Sequence, residues 1–383
     1  MEQVILGNCC TITSSKRIFA HQYVADGIPF YRSKEIIEKY NNQPVSERLY
    51  ISIADFNYIS KKFGVPKSGD ILLTSVGTIG IPYLVKEETF YFKDGNLTWL
   101  KDFSDGISSH YVYYWLSSSF GKNSLLQLAI GSSQPAITIE ILKKYKLNLP
   151  NISIQCRIAS ILSAYDNLIE NNNKRIRLLE QMAENLYKEW FVRFRFPGHE
   201  NTEFENGLPK GWNRASMSTI CEFARGKNIT SSEMVPGDVP VISAGISPSG
   251  YHNQNNVKGT SITISSSGAN AGFISIHYED IWAADCSYVS EKSTPNIYFV
   301  YEMLYNMRTV VDNLQRGAAQ PHVYPKDINR ITVMVPSEKL QELANERFKQ
   351  IHHLIFKLLQ QNALLSRQRD LLLPRLMSGK LEV

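Results

Sequence analysis

Gly131-Ser132-Ser133-Gln134-Pro135 returns later in the chain as Gly317-Ala318-Ala319-Gln320-Pro321, with the two glutamines 186 residues apart. Behind each copy comes the same succession: a short β-like run closing on proline (Tyr145 to Pro150, Ile331 to Pro336), then a long helical segment. A repeat this long, present twice, marks a duplicated domain plus helix rather than a solenoid unit. The earlier parts of the two copies also correspond. Leu6-Gly7-Asn8-Cys9-Cys10 through Lys16-Arg17-Ile18 matches Met217-Ser218-Thr219-Ile220-Cys221 through Lys227-Asn228-Ile229. Asp70-Ile71-Leu72-Leu73-Thr74-Ser75, followed by Gly77 and Gly80, answers Ser261-Ile262-Thr263-Ile264-Ser265-Ser266, followed by Gly268 and Gly272. Asp94, after Phe90-Tyr91-Phe92, answers Asp285 after Ile281-Trp282. The offset drifts from 211 to 186, so connecting loops differ in length, and outside the framework the copies share little. A repeated scaffold with divergent loops is what two related readers of different ligands require.

Two long segments separate and follow these modules. Asn151 to Arg195 contains neither Pro nor Gly. As one helix its 45 residues would extend roughly 65 Å, beyond an ordinary globular helix. Pro150 precedes it and Pro197-Gly198 ends it, while Pro336 and Pro374 bracket the second segment, Ser337 to Leu373. Leu162, Tyr165, Ile169, Asn172, Ile176, Leu179, Ala183, Leu186 and Trp190 follow alternating three- and four-residue steps, the spacing of a coiled-coil seam. The repeat carries that stripe onto Phe348, Ile351, Ile355, Leu358, Asn362, Leu365, Arg369, Leu372 and Leu376, seven of which are apolar. Two such helices bury both stripes by packing as an antiparallel pair. The expected architecture is α+β: two pseudo-symmetric strand-rich domains (residues 1–150 and 197–336) separated by two long helices (151–196 and 337–383) that form an antiparallel coiled coil.

Composition sets the class. With 383 residues the chain has room for two or three domains with real cores, and 43% hydrophobic and 20% charged residues are ordinary for a globular protein. It has no apolar stretch of membrane-spanning length and no cationic-then-apolar leader at Met1-Glu2-Gln3, so a cytoplasmic protein is expected. Five cysteines, odd in number and without a C-x-x-C pair, argue against a disulfide framework or a zinc site. A net charge of +5 is compatible with a nucleic-acid partner without requiring one.

Catalytic motifs are missing. Gly121-Lys122, Gly226-Lys227 and Gly379-Lys380 lack the following Ser or Thr of a P-loop. No N-P-P-[YF] segment, H-E-x-x-H or G-x-S-x-G occurs. His352 and His353 are adjacent on a helix and point in different directions, which suits a solvated or interface role better than metal binding. No metal site is expected.

The paired G-x-x-Q-P motifs stand beside three further signatures. One is the helix exit Tyr187-x-x-Trp190-Phe191-Val192-x-Phe194-x-Phe196-Pro197-Gly198; another is Gly207-Leu208-Pro209-x-Gly211-Trp212, opening the second module. The third is the tail Arg369-Asp370-Leu371-Leu372-Leu373-Pro374-Arg375-Leu376-Met377-Ser378-Gly379. Together they resemble the specificity subunit of type I restriction–modification systems over nearly the whole chain. One departure is that the first module begins directly at Val4-Ile5-Leu6 and lacks the Pro-x-Gly-Trp opening. The resemblance implies a non-catalytic subunit with two target recognition domains, each reading half of a bipartite site in double-stranded DNA. It implies that the helices set the spacer and dock two methyltransferase subunits, which modify adenine with S-adenosylmethionine. Restriction (motor) subunits, using ATP and Mg, would complete the enzyme, and no cofactor would bind this chain.

A target domain must present donors and acceptors to base edges and basic groups to phosphates. The candidates are Lys16, Arg17, Thr74, Ser75, Thr78, Lys93, Asn96 and Gln134 in the first module. In the second they are Lys227, Asn228, Ser265, Ser267, Asn270, Gln320 and His322. Each reads also as a solvated loop residue or one bonded to its own turn. Gln134 and Gln320, each before proline, suggest a fixed presentation, either toward DNA or onto the backbone. Asn172 and Asn362 fall in the seam, where a buried polar pair would fix register. Ile161, Leu168, Leu178 and Met182 lie off the seam, as do Leu354 and Leu364 at repeat-equivalent places; they are the candidate methyltransferase contacts. Two other readings stay open: a stand-alone DNA-binding regulator, and a scaffold whose two domains bind proteins.

Overall fold

The computed structural model describes residues 2–41, 43, 45–131, 134–317 and 321–383. The chain divides into two compact units, one comprising Met1–Asn171 with Asn362–Val383 and the other Asn172–Gln361. Each long helix therefore contributes a segment to both units.

The first unit is organised on a four-stranded antiparallel sheet in the order Thr11–Thr13, Leu97–Lys101, Ile71–Thr74, Pro82–Leu84. Its strand Ile-Leu-Leu-Thr is buried at every position, so the sheet is covered on both faces. A second sheet runs Tyr23–Val24, Leu49–Ile51, Ile28–Tyr31, Tyr91–Phe92, with the last pair parallel. The module closes on itself: Glu2–Ile5 pairs antiparallel with Lys146–Leu149, and Leu6 N–H donates to Tyr145 O at 2.8 Å. The core sits between the sheet, the helix Ser109–Ser117 and the long helices. Tyr111, Trp115 and Leu147 pack with Ile158, Leu162, Leu376 and Met377.

The second unit repeats this frame. Its main sheet runs Ala224–Arg225, Cys286–Ser290, Ser261–Ser265, Ile274–His277, again antiparallel. Val239–Ile242 pairs parallel with Trp282–Ala283, the counterpart of the parallel pair above. Asn213–Ser216 pairs with Thr332–Val335, and Met217 N–H donates to Ile331 O at 2.8 Å, the same closure with its first strand 211 and its last strand 186 residues on. The duplication read from sequence is thus a duplication of topology. The aromatic residues of the helix-exit signature pack into the core of this unit: Phe191 packs on Trp212 and Phe299 at ring separations of 5.9 and 5.1 Å, and Phe196 stacks on Trp212 at 5.4 Å.

Both long helices start with the same device. Gln155 Nε2 donates to Pro150 O at 2.8 Å, and its repeat partner Gln341 donates to Pro336 O at 2.9 Å. Within the second unit the two segments run antiparallel, because Asn172 meets Gln361 while Ala183, farther along, shares a core with Phe348 and Ile351. None of the eighteen seam positions is exposed.

Both helix ends differ from expectation. The first α-helix covers Ile152–Tyr187, and Lys188–Val192 then forms a π-helical turn closed by Arg193 N–H to Lys188 O at 2.8 Å. The wider turn puts the adjacent Trp190 and Phe191 both into the core, which a 3.6-residue period would rotate apart. The second helix does not stop before Pro374 but runs Glu338–Met377 through it. Proline costs the bond to the carbonyl four residues back; here the next turn buries Leu376 and Met377 in the first unit's core, which offsets that loss.

Candidate nucleic-acid interface

In each unit the central strand runs out into a glycine loop on which the Gln-Pro loop is docked. Gly77 N–H donates to Pro135 O, and Gly268 N–H to Pro321 O, both at 3.1 Å. Both glycines are left-handed, with φ of 76° and 75°, and that backbone is the reason for glycine there. Ile137 N–H bonds to Ser75 O at 2.9 Å, as Val323 N–H does to Ser266 O at 3.0 Å. The Gln-Pro loop is also pinched at its base. Ile130 and Ala136 exchange two bonds of 2.9 Å, and Arg316 and His322 exchange bonds of 3.0 and 2.8 Å. A third strand-end joins this cluster: Ser75 N–H donates to Asn96 O, and Ser266 N–H to Asp285 O. Three segments far apart in sequence thus meet through the same backbone hydrogen bonds in both copies.

The candidate side chains divide on this frame. Lys16, Arg17, Thr78 and Gln134 are exposed in the first unit, and Lys93 and Asn96 are half-buried. Lys16 also anchors its own loop, its N–H donating to Tyr91 OH at 2.7 Å. Lys227 and Asn228 are exposed in the second unit, with Lys227 Nζ 5.9 Å from the Trp282 ring centre. Ser267, Asn270 and His322 are half-buried; Ser267 Oγ donates to the Asp285 carboxylate, and His322 stacks on Tyr324. Gln320 lies outside the described residues.

Three candidates are framework rather than surface. Thr74 is fully buried and its Oγ1 accepts from Ile81 N–H at 2.9 Å. Ser75, also buried, shares a 2.6 Å bond with Thr98 Oγ1, and buried Ser265 donates to Ala244 O at 3.0 Å. They stand at strand ends beneath the docked loop, where hydroxyls satisfy the turn. Sequence reading had not selected four charged residues of the cluster: Asp94, Asp285, Arg225 and Arg316. Arg17 Nε donates to Asp94 at 2.7 Å, Arg225 to Asp285 at 2.5 Å, and Arg316 to Asp327 at 2.7 Å. The available signal was the repeat itself, which already aligned Asp94 with Asp285.

On the helices, Asn172 is buried and its Nδ2 donates to Gln361 Oε1 at 3.0 Å, while Asn362 is half-buried. Among the off-seam residues, Leu168, Leu178, Met182, Leu354 and Leu364 are 49–65% exposed. Ile161 is not: it packs against the first unit's core, because the module covers that face of the helix. Leu178, Met182 and Leu354 line a groove of about 430 Å³ in the second unit, with Arg175 and Lys357 among its flanking residues. Burial raises the thiols of Cys10, Cys221 and Cys286 to about 12, so at neutral pH they are protonated and unreactive.

The family model described as the type I restriction modification DNA specificity domain matches residues 1–181 and again 209–365. The chain belongs to this family. The two matched stretches coincide with the two topological copies. The type I restriction enzyme MjaIX specificity subunit of Methanocaldococcus jannaschii is 25% identical over 94% of this chain and 88% of its own length. A putative type I restriction enzyme specificity subunit of Haemophilus influenzae is 30% identical over 49% of this chain and 46% of its own. The crystal structure of the type I restriction–modification S subunit from M. genitalium has the same fold, with a TM-score of 0.62 at 19% identity, covering 98% of this chain and 95% of that one. Among the described residues no helix is long and apolar enough to cross a membrane, and no group of three His, Cys, Asp or Glu could hold a metal ion.

Proposed function

We propose that this type I specificity subunit reads a bipartite, asymmetric site in double-stranded DNA, one half with each loop cluster, and contributes no active site. The observation that carries this reading is the doubled cluster: one backbone frame, held by the same bonds, presents different side chains in its two copies. The long helices set the unspecified spacer and dock two methyltransferase subunits, with the Asn172 and Asn362 positions fixing their register. Adenine methylation with S-adenosylmethionine, and restriction driven by ATP and Mg, reside in partner methyltransferase and restriction subunits in the cytoplasm. Tagging this chain in its host tests the reading. Methyltransferase subunits are expected to co-purify, and duplex binding should fall steeply with salt as phosphate contacts release counterions. A chain that purifies alone, with no duplex affinity at low salt, would refute it.

The exposed face of the second unit's helix segments supports the docking role. Leu178 and Leu354 are 65% and 49% exposed beside the apolar groove, so changing both to aspartate should leave the melting temperature within a degree or two. The same change is expected to abolish co-purification of the methyltransferase that docks there. Unaltered recovery of both partner subunits would assign the face elsewhere.

A further inference from the structure

The geometry points to Arg17 and Arg225 as guanine-reading residues, one for each half of the recognised site, each aimed by a repeat-equivalent aspartate. This rests on the DNA-reading function proposed above and makes it specific. Asp94 and Asp285 each come one residue after the N–H that bonds to the neighbouring parallel strand, Lys93 N–H to Tyr31 O and Ala284 N–H to Ile242 O, both at 2.8 Å. Each carboxylate holds one arginine, Arg17 Nε to Asp94 Oδ2 at 2.7 Å and Arg225 Nη2 to Asp285 Oδ1 at 2.5 Å. The arginines come from different local positions: Arg225 ends the strand Ala224–Arg225, whereas Arg17 lies four residues beyond the strand Thr11–Thr13. The aspartate is the constant element, and the chain delivers a guanidinium to it by two routes.

Exposure shows which partner serves which. The Asp94 side chain is 15% exposed against 63% for Arg17, and Asp285 is 23% exposed against 41% for Arg225. The carboxylate is sunk into the cluster and the guanidinium stands out from it. An ion pair this open adds little to stability. What it does is fix a flexible side chain in one plane before any ligand arrives, which lowers the entropic cost of binding. Arg17 commits only Nε–H to the carboxylate, which leaves both terminal amino groups outside that bond. A planar pair of N–H donors matches the O6 and N7 acceptors of guanine in the major groove, and no other base offers two acceptors on that edge. Asp285 is fixed in turn, since Ser267 Oγ donates to its other oxygen. In this scheme Asp94 and Asp285 are positioning residues and the arginines make the base contact.

The test uses the complex purified through a tag on this chain, presented with a duplex pool randomised over the site and sequenced after retention. The wild-type complex is expected to select a bipartite motif with guanine in each half. Arg17→Ala should reduce preference at one guanine on the order of 10-fold or more, leaving the other half-site unchanged, and Arg225→Ala should do the reverse. Asp94→Asn should weaken the same guanine as Arg17→Ala, without shifting selection elsewhere. A phosphate-contacting arginine would instead lower retention of all sequences alike and flatten the salt dependence. That outcome, an unchanged motif, or loss in both halves from one substitution, would overturn the proposal. Arg17→Lys, which keeps charge but not the planar fork, separates the two roles: a guanine reader loses its preference and a phosphate contact retains its affinity. A wild-type complex that selects no sequence would refute the DNA-reading function itself.

Discussion

His352→Ala is expected to destabilise the second unit by about 3–5 kcal/mol, the combined loss of buried hydrogen bonds and the cavity that the ring leaves. His352 and Glu302 are 2% and 3% exposed, and His352 Nε2 lies 2.8 Å from Glu302 Oε1. The other ring nitrogen, Nδ1, is 2.8 Å from Tyr278 OH, and the rings of Tyr298 and Tyr301 pack around the imidazole. Glu302 belongs to the module helix Ile297–Asn306 and His352 to the second long helix, so the contact fastens the module to its helix segment. Alanine leaves a carboxylate without its partner where water cannot reach it. His352→Gln keeps a donor toward Glu302 and should cost only about 1–2 kcal/mol. Urea unfolding of the three proteins measures the difference; an alanine variant as stable as the glutamine variant would show that the pair contributes packing alone. The first unit fastens its module at the repeat-equivalent place with different groups. Tyr114 OH donates to Asp166 at 2.6 Å, Arg369 Nη1 donates to the other oxygen at 2.6 Å, and Asp166 stands 186 residues before His352.

This clamp marks a boundary of what sequence conveys. The adjacent histidines correctly read as pointing in different directions, since His353 is exposed and His352 buried. The partner of His352, fifty residues upstream in a module helix, left no trace in local pattern. The seam was legible because a three-four spacing is a property of one helix alone. The repeat was legible because backbone-determined residues, such as Gly77 and Gly268 with their left-handed φ, are fixed by the fold and not by the ligand. Thr74, Ser75 and Ser265 could not be assigned between surface and framework for a related reason. A hydroxyl at a strand end looks the same in sequence whether it faces solvent or lies under a docked loop, and only the Gln-Pro loop's closure onto the glycine loop decides it. The passage of the second helix through Pro374 was hidden likewise, since its compensation comes from tertiary burial of Leu376 and Met377.

Exchange of residues 1–150 for the corresponding module of another family member is expected to replace one half of the recognised site completely and leave the other half unaltered. The physical basis is the closure of the module. Its first strand, Glu2–Ile5, pairs along its length with its last, Lys146–Leu149, so the graft enters and leaves at one point and every ladder bond stays within the exchanged piece. What crosses the cut is contact with helix side chains: Tyr111, Trp115 and Leu147 against Ile158, Leu162 and Leu376, Tyr114 on Asp166, and Gln155, which accepts from Ser108 N–H and donates to Gly106 O. A donor module that presents apolar residues and a hydrogen-bonding group at those places should fold onto the helices. One lacking them should cost several kcal/mol through cavities and an unpaired Asp166. Among folded exchanges, sequencing of modified adenines in a strain carrying the hybrid reads both half-sites at once. The second loop cluster keeps its own frame, from the Gly268 loop to the Asp285 strand-end, untouched by the graft. Its half-site must therefore persist. Alteration of both halves by a stably folded hybrid would mean that the two clusters do not read independently, and the division of labour proposed for the modules would fail.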